Sequence, residues 1–370
     1  MRVKKTIFLL QIAQLFFVGN IAAQDVASQT ALTLDLEIKE PPGEVFNRLT
    51  DIACGANGNI CALDRKELVV YVFSAEVRFL KKMGKSGEGP GEFRRPCSIY
   101  IDSKGLIYVL DDINRRIEIF NEKADYVRSI KIANFPGGQS RNIVVDKNGE
   151  FYISGFYRAS NITYILAKFS SAGELLKYIS LPKKEYAGIE LNEQDKDRVA
   201  DYLSGGSMCI DQEDRIYFSY PWTYCIERII KDKNEGEYPG KGKYRWTPGI
   251  FKTDQLNGML FAESTRTRKI FSLDNGFIVN SVSVVDWEGD PKKEIQISSF
   301  QINPEKYFKI LGKYSILDFY SKDLELIASA RVDGKIYFLS VDKQGRLLGV
   351  KYDADDVQTI VRYNLEIPKH

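Results

Sequence analysis

The sequence predicts an all-β protein, a six-bladed β-propeller of four-stranded antiparallel blades. Short apolar runs of strand length occur throughout the chain, turns rich in Asp and Gly separate them, and the unit of strand, turn and strand recurs six times from Arg48 onward. Two separate β domains would not explain one repeat over the whole length. The six turns are centred on Gly58, Gly105, Gly149, Asp214, Gly276 and Gly345.

A secretory signal is predicted at residues 1–23. Three basic residues precede an apolar run from Ile7 to Val18, which is too short to span a membrane comfortably. We therefore expect one mature domain, residues 24–370, that is periplasmic or secreted, monomeric and without a transmembrane segment. Loss of the three basic residues with the signal changes the formal net charge from +2 to −1. Such a chain lacks the clustered positive charge that nucleic-acid binding needs.

The first predicted strand has no local partner. Residues 31–39 alternate apolar and polar side chains, but no hairpin turn follows and Pro41-Pro42 ends the run. The last repeat, in turn, supplies too few strands for a full blade. We expect strand 31–39 to complete that blade, because this closes the ring and leaves no open sheet edge.

The turns between the first two strands of each repeat carry a local signature. Asn57-Gly58, Asn148-Gly149 and Asn275-Gly276 suit two-residue type I′ turns, since both central residues of that turn need positive φ. An Asp that precedes the turn can accept hydrogen bonds from backbone N–H groups two residues on. This turn chemistry explains the recurrence of the carboxylates better than metal binding does. The residues concerned are Asp102, Asp146, Asp211, Asp274 and Asp342.

Two of the five cysteines flank the first turn. If Asn57-Gly58 forms a two-residue turn, Cys54 lies directly opposite Cys61, at a Cα separation that a disulfide accepts. The sequence is compatible with a Cys54–Cys61 disulfide and equally with two reduced core cysteines. It does not indicate the redox state of the other three, Cys97, Cys209 and Cys225.

Residues 84–130 carry a family resemblance. The run from Gly87 to Phe93, then Pro96, and then Asp-Asp-Ile-Asn-Arg-Arg-Ile from residue 111 resemble the linker and core of an NHL-repeat propeller. The resemblance implies that Asp111, Asn114 and Arg116 are structural residues that hold the strand connection together. With its predicted signal, the chain also resembles the secreted six-bladed propeller proteins of Bacteroidetes.

Insertions and aromatic residues are expected on one face of the ring. Connections at 182–206, where Leu191–Leu203 is a candidate helix, and at 286–313 fall on the same face when strand directions are counted. That face also carries each connection from the second to the third strand of a repeat. Flat aromatic rings there suit a sugar, a peptide or a protein loop. The candidate binding residues are Tyr157, Arg158, Tyr220, Trp222, Asp286, Trp287, Lys351 and Tyr352.

The residue inventory excludes several enzyme classes. The only histidine is the final residue, His370, so Ser-His-Asp, Cys-His and histidine-dependent lyase chemistry have no base. One catalytic class stays open, a hydrolase or lactonase in which Asp, Asn and Glu near the axis hold Ca²⁺, although no spacing singles out a ligand set. The favoured function is a binding module that presents one face to a protein, peptide or glycan, with no certain cofactor.

Overall fold

A computed structural model of the chain describes residues 31–41, 43–133, 135, 137–159, 162–179, 206–220, 225–239, 250–253, 258–261, 266–287 and 310–366. Within these residues, six four-stranded antiparallel sheets form the blades of a propeller. Blade 1 contains β2 (Leu49–Cys54), β3 (Ile60–Asp64), β4 (Val69–Phe73) and β5 (Phe79–Met83). Blade 2 contains β6 (Pro96–Ile101), β7 (Ile107–Asp111), β8 (Arg116–Phe120) and β9 (Tyr126–Lys131). Blade 3 contains β10 (Gly137–Val145), β11 (Phe151–Ala159), β12 (Ile162–Phe169) and β13 (Leu175–Ile179).

The second half of the ring has one additional hairpin, and its longest strands are in blade 5. Blade 4 contains β14 (Ser207–Ile210), β15 (Ile216–Ser219), β16 (Cys225–Ile230) and β17 (Lys233–Pro239). Blade 5 contains β20 (Arg266–Ser272), β21 (Ile278–Trp287), β22 (Ile310–Tyr320) and β23 (Leu326–Asp333). Blade 6 contains β24 (Ile336–Val341), β25 (Leu347–Tyr352), β26 (Gln358–Glu366) and β1 (Ala31–Ile38). Between blades 4 and 5, β18 (Ile250–Thr253) and β19 (Gly258–Phe261) pair with each other in a sheet of their own.

The first described strand completes the last blade. Strand β1 pairs antiparallel with β26 at the outer edge of blade 6, with Ala31 opposite Glu366 and Ile38 opposite Ile360. Across this pair, Arg362 Nε donates to Asp35 Oδ2 at 2.6 Å. The innermost strands meet one another around the axis, because β2, β6, β10, β14, β20 and β24 each contact the next and β24 contacts β2. The six sheets therefore form a closed ring.

The hydrophobic core lies between the blades. Each of six apolar clusters is built from two neighbouring sheets, from the pair of blades 1 and 2 round to the pair of blades 6 and 1. The second strands β3 and β7 are buried along their whole length, since they pack on a neighbouring blade on both faces. This explains the nearly continuous apolar runs that follow the turns in the sequence.

The type I′ prediction for the first turns is wrong. In all six blades the N–H of the first turn residue donates to the C=O of the residue four positions later. The C=O of the first turn residue accepts from the N–H three positions later, and only the fourth residue of the turn has positive φ. Asn57, Asn148 and Asn275 have negative φ, so the loop has three residues and contains a type I turn followed by one left-handed residue. The Asp prediction is confirmed for Asp102, Asp146, Asp211 and Asp342, as in Asp102 Oδ1, which accepts from the N–H groups of Lys104 and Leu106 at 2.9 Å. It is wrong for Asp274, because Leu273 is the first turn residue of blade 5 and the N–H of Phe277 donates to Asn275 Oδ1.

The longer loop separates the two cysteines that the sequence places face to face. It shifts the register by one residue, so that Cys54 lies opposite Ile60 and Ala53 lies opposite Cys61. Neighbouring residues of a strand point to opposite faces, and Cys54 accordingly packs between blades 6 and 1 while Cys61 packs between blades 1 and 2. Both thiols are free. Of the two alternatives that the sequence leaves open, the structure has the two reduced core cysteines, and burial raises the pKa of Cys61 to about 12.

Two sequence predictions fall outside the described residues, namely the signal at 1–23 and the helix at Leu191–Leu203. In the part of the chain that the structure describes, no helix is long and apolar enough to cross a membrane.

Candidate functional site

The ring has two faces, which differ in their connections. We call one the turn face, because it carries the tight turns from the first to the second strand of each blade and most of those from the third to the fourth. The opposite side, the insertion face, carries the connections from second to third strands and the links between blades. The long connections β13 to β14 and β21 to β22 both lie on the insertion face, as strand directions require.

A cavity of about 920 Å³ lies on the propeller axis and opens on the turn face. All six innermost strands line it, so its wall is set by ring closure and not by any one blade. Its lining begins at Ile52, Ile99, Asn142, Met208, Lys269 and Leu339 and continues to the turns.

Polar side chains at one level of the innermost strands lie at the inner end of this cavity, where Asn142 and Lys269 form its floor and the others lie behind the lining. Each stands four residues before the first turn residue of its blade, and together we call them the axial belt. In blade 6 the same position holds Phe338, which is fully buried. The belt residues are Asp51, Ser98, Asn142, Ser207 and Lys269.

The belt joins blades 1 to 5 by hydrogen bonds from side chain to backbone. Asp51 Oδ2 accepts from the N–H of Ile99 at 3.1 Å and from Ser98 Oγ at 3.0 Å. Asn142 Oδ1 in turn accepts from the N–H of Met208 at 3.0 Å. The same pattern recurs from Ile143 N–H to Ser98 Oγ at 3.4 Å and from Ile270 N–H to Ser207 Oγ at 3.1 Å. Each of blades 1 to 4 thereby satisfies a backbone donor of the next blade.

An ion pair completes the belt. Lys269 Nζ lies 2.7 Å from Asp51 Oδ1, so blade 5 is tied to blade 1 across blade 6. Both side chains are largely buried, with 14% of Lys269 and 4% of Asp51 exposed. The carboxylate also accepts from the N–H of Ile52 at 3.1 Å and therefore has four donors. A buried charge with this many partners is held in one position.

Carboxylates at the mouth of the cavity are engaged by the fold. In four blades the turn Asp uses Oδ1 for two backbone N–H groups of its own turn. The second oxygen then meets a side chain of the same blade, as in Asp211 Oδ2 with Arg215 Nε at 2.6 Å and Asp342 Oδ2 with Arg346 Nε at 2.7 Å. These groups shape the mouth and offer few free oxygens to a ligand.

Metal binding by this ring of carboxylates has no support in the geometry. Across the described ranges, no three Asp, Glu, Cys or His side chains converge as a metal site would require. The turns separate the carboxylates, because each one binds its own blade.

Two of the eight residues predicted at an aromatic rim lie in the protein interior. Tyr157 is 2% exposed and donates from its hydroxyl to Ile153 O at 2.9 Å, within blade 3. Tyr220 is 6% exposed, and its ring packs edge-on against Phe218 at 5.1 Å. Burial raises the pKa of Tyr157 above its ordinary value. The sequence pattern predicts both residues in connections after the second strands, but β11 extends through Tyr157, and both rings turn inward and fill the core.

The other predicted rim residues divide into two groups. Lys351 Nζ pairs with Glu37 Oε1 of β1 at 2.8 Å, and Tyr352 is half-buried, with burial raising its pKa to about 12. The structure places the backbone of Asp286 opposite Gly312 at the end of β21. The side chains of Arg158, Asp286 and Trp287, and the whole of Trp222, lie outside the described part.

Tyr352 belongs to a stack of rings and cations on the insertion face. Its ring lies 5.1 Å from that of Tyr337. The guanidinium of Arg268 lies 3.9 Å above the Tyr337 ring, and Lys335 Nζ lies 4.6 Å above the Tyr352 ring. Such contacts stabilise each pair by about 0.5–2 kcal/mol. We call these four residues the cation–π stack.

The residues that the NHL resemblance marks as structural hold the linker between blades 1 and 2. Asp111 accepts from the N–H groups of Arg94 at 2.7 Å and of Arg95 at 3.0 Å. Asn114 Nδ2 donates to Asp111 Oδ2 at 2.9 Å and to the C=O of Gly87 at 3.1 Å. Arg116 donates to carbonyl oxygens of the same linker.

Sequence reasoning missed the axial belt, although a signal for it exists. When the six repeats are aligned on their turns, a polar residue followed by an apolar one stands at the same distance before the turn in five of them. A polar side chain in an otherwise apolar innermost strand must find a partner, and the neighbouring blade supplies it. The predicted aromatic rim lies on the opposite face of the ring, the insertion face.

The fold has counterparts among solved structures. A member of the DUF4221 family from Bacteroides vulgatus is 12% identical, with a TM-score of 0.58 over 93% of this chain and 100% of that one. A candidate exported protein from Bacteroides fragilis is 12% identical, with a TM-score of 0.55 over 94% and 98%. At such identity the likeness shows the fold alone.

Among curated proteins, the E3 ubiquitin-protein ligase TRIM32 of Homo sapiens and that of Mus musculus are each 49% identical to this chain over 45 residues. The matched segment is 12% of this chain and spans only 7% of the length of these relatives. A family model described as 6-bladed beta-propeller matches residues 47–235, which are 189 of the 370 residues. The chain thus belongs to the DUF5128 family of 6-bladed beta-propeller proteins.

Proposed function

We propose that this protein is an exported ligand-binding protein whose binding site is the axial cavity on the turn face. The observation that carries the proposal is a cavity of about 920 Å³ shared by six blades, with a fixed polar floor, apolar side chains of the innermost strands on its walls and charged side chains at its mouth. Ligand sites are usually concave and about 300–1,000 Å³ in volume, with a few polar groups that orient the ligand. A small molecule, or the end of a peptide or glycan chain, would fill such a space.

Export is part of the proposal and is supported by the sequence. Residues 1–23 have the basic flank and apolar run of a secretory signal, and a protein of similar fold from Bacteroides fragilis is described as a candidate exported protein. We propose a monomer of residues 24–370 in the periplasm or outside the cell. Fractionation of cells that express the full chain, with the mature N-terminus sequenced, tests this proposal. Recovery of uncleaved protein from the cytosol would contradict it.

Methionine NMR can test the cavity as a binding site. Residues 24–370 contain Met83, Met208 and Met259, of which Met208 lines the cavity and Met83 is buried in blade 1. Protein labelled with ¹³C at the methionine methyl groups would be titrated with panels of short peptides, oligosaccharides and carboxylic acids. We expect a binder to shift the Met208 signal and to leave that of Met83 in place. If no panel member moves Met208, the cavity is not the binding site.

A matched pair of variants would locate the effect further. Gln212 is exposed on the turn of blade 4 and lines the mouth, whereas Gln344 is exposed on the turn of blade 6 and does not line it. Gln212→Trp should weaken any binder that shifts Met208, because the indole narrows the entrance, and Gln344→Trp should leave binding unchanged. Equal effects of the two variants would place the ligand elsewhere.

A second candidate site is the insertion face, which the sequence favours. The cation–π stack lies there, and the long connections at 180–206 and 288–309 start and end there. A protein, peptide or glycan partner would be recognised by aromatic rings on this side. Trp222→Ala and Trp287→Ala should then weaken partner binding while thermal unfolding stays nearly unchanged. A large drop in the unfolding temperature would instead assign the two indoles to packing.

A further inference from the structure

The floor of the axial cavity has hydrogen-bond donors left over. An ammonium group carries three N–H donors and a primary amide carries two. Lys269 uses one of its donors on Asp51, and Asn142 uses one on Ser98 Oγ at 3.3 Å. Within the described residues, no acceptor engages the remaining N–H groups of these two side chains. Both side chains line the cavity.

The acceptors of the floor, by contrast, are used. Asp51 has four donors on its two oxygens, and Asn142 Oδ1 holds the N–H of Met208. Ser98 Oγ donates to Asp51 and accepts from the N–H of Ile143. The floor is therefore rich in free donors and poor in free acceptors. A ligand group that reaches it gains most if it brings oxygen acceptors and no donors of its own.

The charge on the floor favours an anionic acceptor over a neutral one. Three of the four donors on Asp51 belong to the protein backbone and to Ser98, so the carboxylate does not depend on Lys269 alone for its solvation. The ammonium can therefore share its charge with a second carboxylate. Hydrogen bonds in which one partner is charged are roughly twice as strong as those between neutral partners.

We propose that the axial cavity binds ligands that carry a carboxylate at their leading end, with the carboxylate seated on Lys269 and Asn142. This inference rests on the proposed function, since it names the chemistry of the ligand in the same cavity. Two sources share that chemistry, the free C-terminus of a peptide and the acid group of a uronic sugar. Lys269 is then both a structural partner of Asp51 and the specificity-determining residue of the site.

Three probes of equal length separate the role of the end group from that of the apolar body. 4-Phenylbutyrate, 4-phenylbutanamide and 4-phenylbutylammonium would be titrated into ¹³C-methionine-labelled protein, with Met208 as the reporter and Met83 as the control. We expect the carboxylate to bind at least about tenfold more tightly than the amide, a ratio equal to about 1.4 kcal/mol. The ammonium should bind most weakly.

Variants of Lys269 test whether the preference comes from its charge. Lys269→Gln keeps a donor for Asp51 but removes the cation, so the carboxylate and the amide should bind within about twofold of each other. Lys269→Arg keeps the cation and should keep the preference. Lys343→Gln, at the exposed mouth, is the matched control and should leave the preference intact. Thermal unfolding shows whether each variant is folded. If Lys269→Gln is not folded, the neutral double variant Asp51→Asn/Lys269→Gln replaces it, because it removes the cation and leaves no unpaired charge beneath the cavity.

The outcomes distinguish this inference from the proposed function. If all three probes shift Met208 with equal affinity, the cavity binds ligands but does not select carboxylates, and the inference is wrong. If none of the probes shifts Met208, both the inference and the proposed site are wrong. A carboxylate preference that survives Lys269→Gln would assign recognition to another residue. Tripeptides with free or amidated C-termini, and glucuronate against glucose, then identify the source of the carboxylate.

Discussion

A single carboxylate can organise a whole connection, as Asp111 does between blades 1 and 2. Its oxygens accept from three backbone N–H groups, those of Arg94, Arg95 and Asn114, and from the Asn114 side chain. It is fully buried, so water cannot replace it as an acceptor. Blade 1 uses Asp64 in the same way, with four backbone N–H groups on its two oxygens.

Replacing Asp111 with Ala should therefore cost about 3 kcal/mol of unfolding free energy, because several buried N–H groups lose a charged acceptor. Asp355→Ala is the matched control. That side chain is exposed at a turn, and its loss should change the unfolding free energy by less than about 0.5 kcal/mol. Urea unfolding of the two variants and of the wild type measures both changes in unfolding free energy. Equal, small effects would show that the linker does not depend on Asp111.

Asp318 makes stability depend on pH. Burial in blade 5 raises its pKa from the ordinary 3.8 to about 7, while the Ser329 hydroxyl donates to it and lowers the pKa to a lesser extent. The native state thus binds this proton more tightly than the unfolded chain does. The contribution is fully present below about pH 4 and is lost as the pH rises to 7.

Asp318→Asn should remove this loss, because the amide keeps an acceptor for Ser329 and cannot ionise. Relative to wild type, the variant should gain about 2 kcal/mol of unfolding free energy between pH 5 and pH 8. Urea unfolding of both proteins at the two pH values provides the measurement. Asp355→Asn controls for the general effect of removing a carboxylate. A difference that stays constant with pH would show that Asp318 is ionised throughout.

Residue identity alone anticipated some of these roles and not others. The turn carboxylates and the Asp111 group could be read from sequence, since each acts on backbone within about 30 residues. The partner of Asp51 could not, because Lys269 lies 218 residues away and the pair forms only when the ring closes. Tyr157 and Tyr220 were misassigned because the strand pattern locates a residue along the strand but does not give the direction of its ring.

At the scale of the element, one loop length sets the register of every blade. Two-residue and three-residue turns have almost the same composition, and both favour Asn-Gly, so the sequence does not decide between them. A loop that is one residue longer shifts the pairing by one residue, so each side chain of the innermost strand points to the opposite face relative to its neighbour. That shift is why the strands are predicted correctly while the position of Cys54 opposite Cys61 is not.

The blade 3 turn provides a direct test of the loop type. Gly149 has a φ of +78°, whereas Asn148 has negative φ, and its side chain makes no hydrogen bond among the described residues. Gly149→Ala should cost about 1 kcal/mol, because a Cβ is strained in the left-handed region. Asn148→Ala should cost less than about 0.5 kcal/mol. A two-residue type I′ turn would make both substitutions costly, so thermal or urea unfolding separates the two turn types.

At the scale of the whole molecule, the fold class followed from repetition, and ring closure followed from a strand without a local partner. The ligand site did not follow from the sequence, because the axial cavity is lined by residues from six repeats that are far apart in the chain. No single repeat contains a motif for it.

Strand β1 should be required for a stable ring. A chain that begins at residue 39 lacks it and exposes the edge of β26, whereas a chain that begins at residue 31 retains it. We expect the shorter chain to lose cooperative unfolding or to aggregate, and the longer one to unfold as residues 24–370 do. Circular dichroism during heating, together with size-exclusion chromatography, compares them. Equal unfolding temperatures would mean that β1 only covers the outer edge.

The pairing of β1 with β26 also determines when folding can finish. Strand β1 is the first to enter the compartment in which the chain folds, yet Asp35 and its partner Arg362 are 327 residues apart. Blades 1 to 5 can form as they enter, since each is made of consecutive strands, but the ring stays open until β26 has followed. An incomplete or broken chain that lacks β26 therefore keeps one edge unpaired and accessible to proteases. The pairing of β1 with β26 therefore forms only in a chain that already contains all six blades.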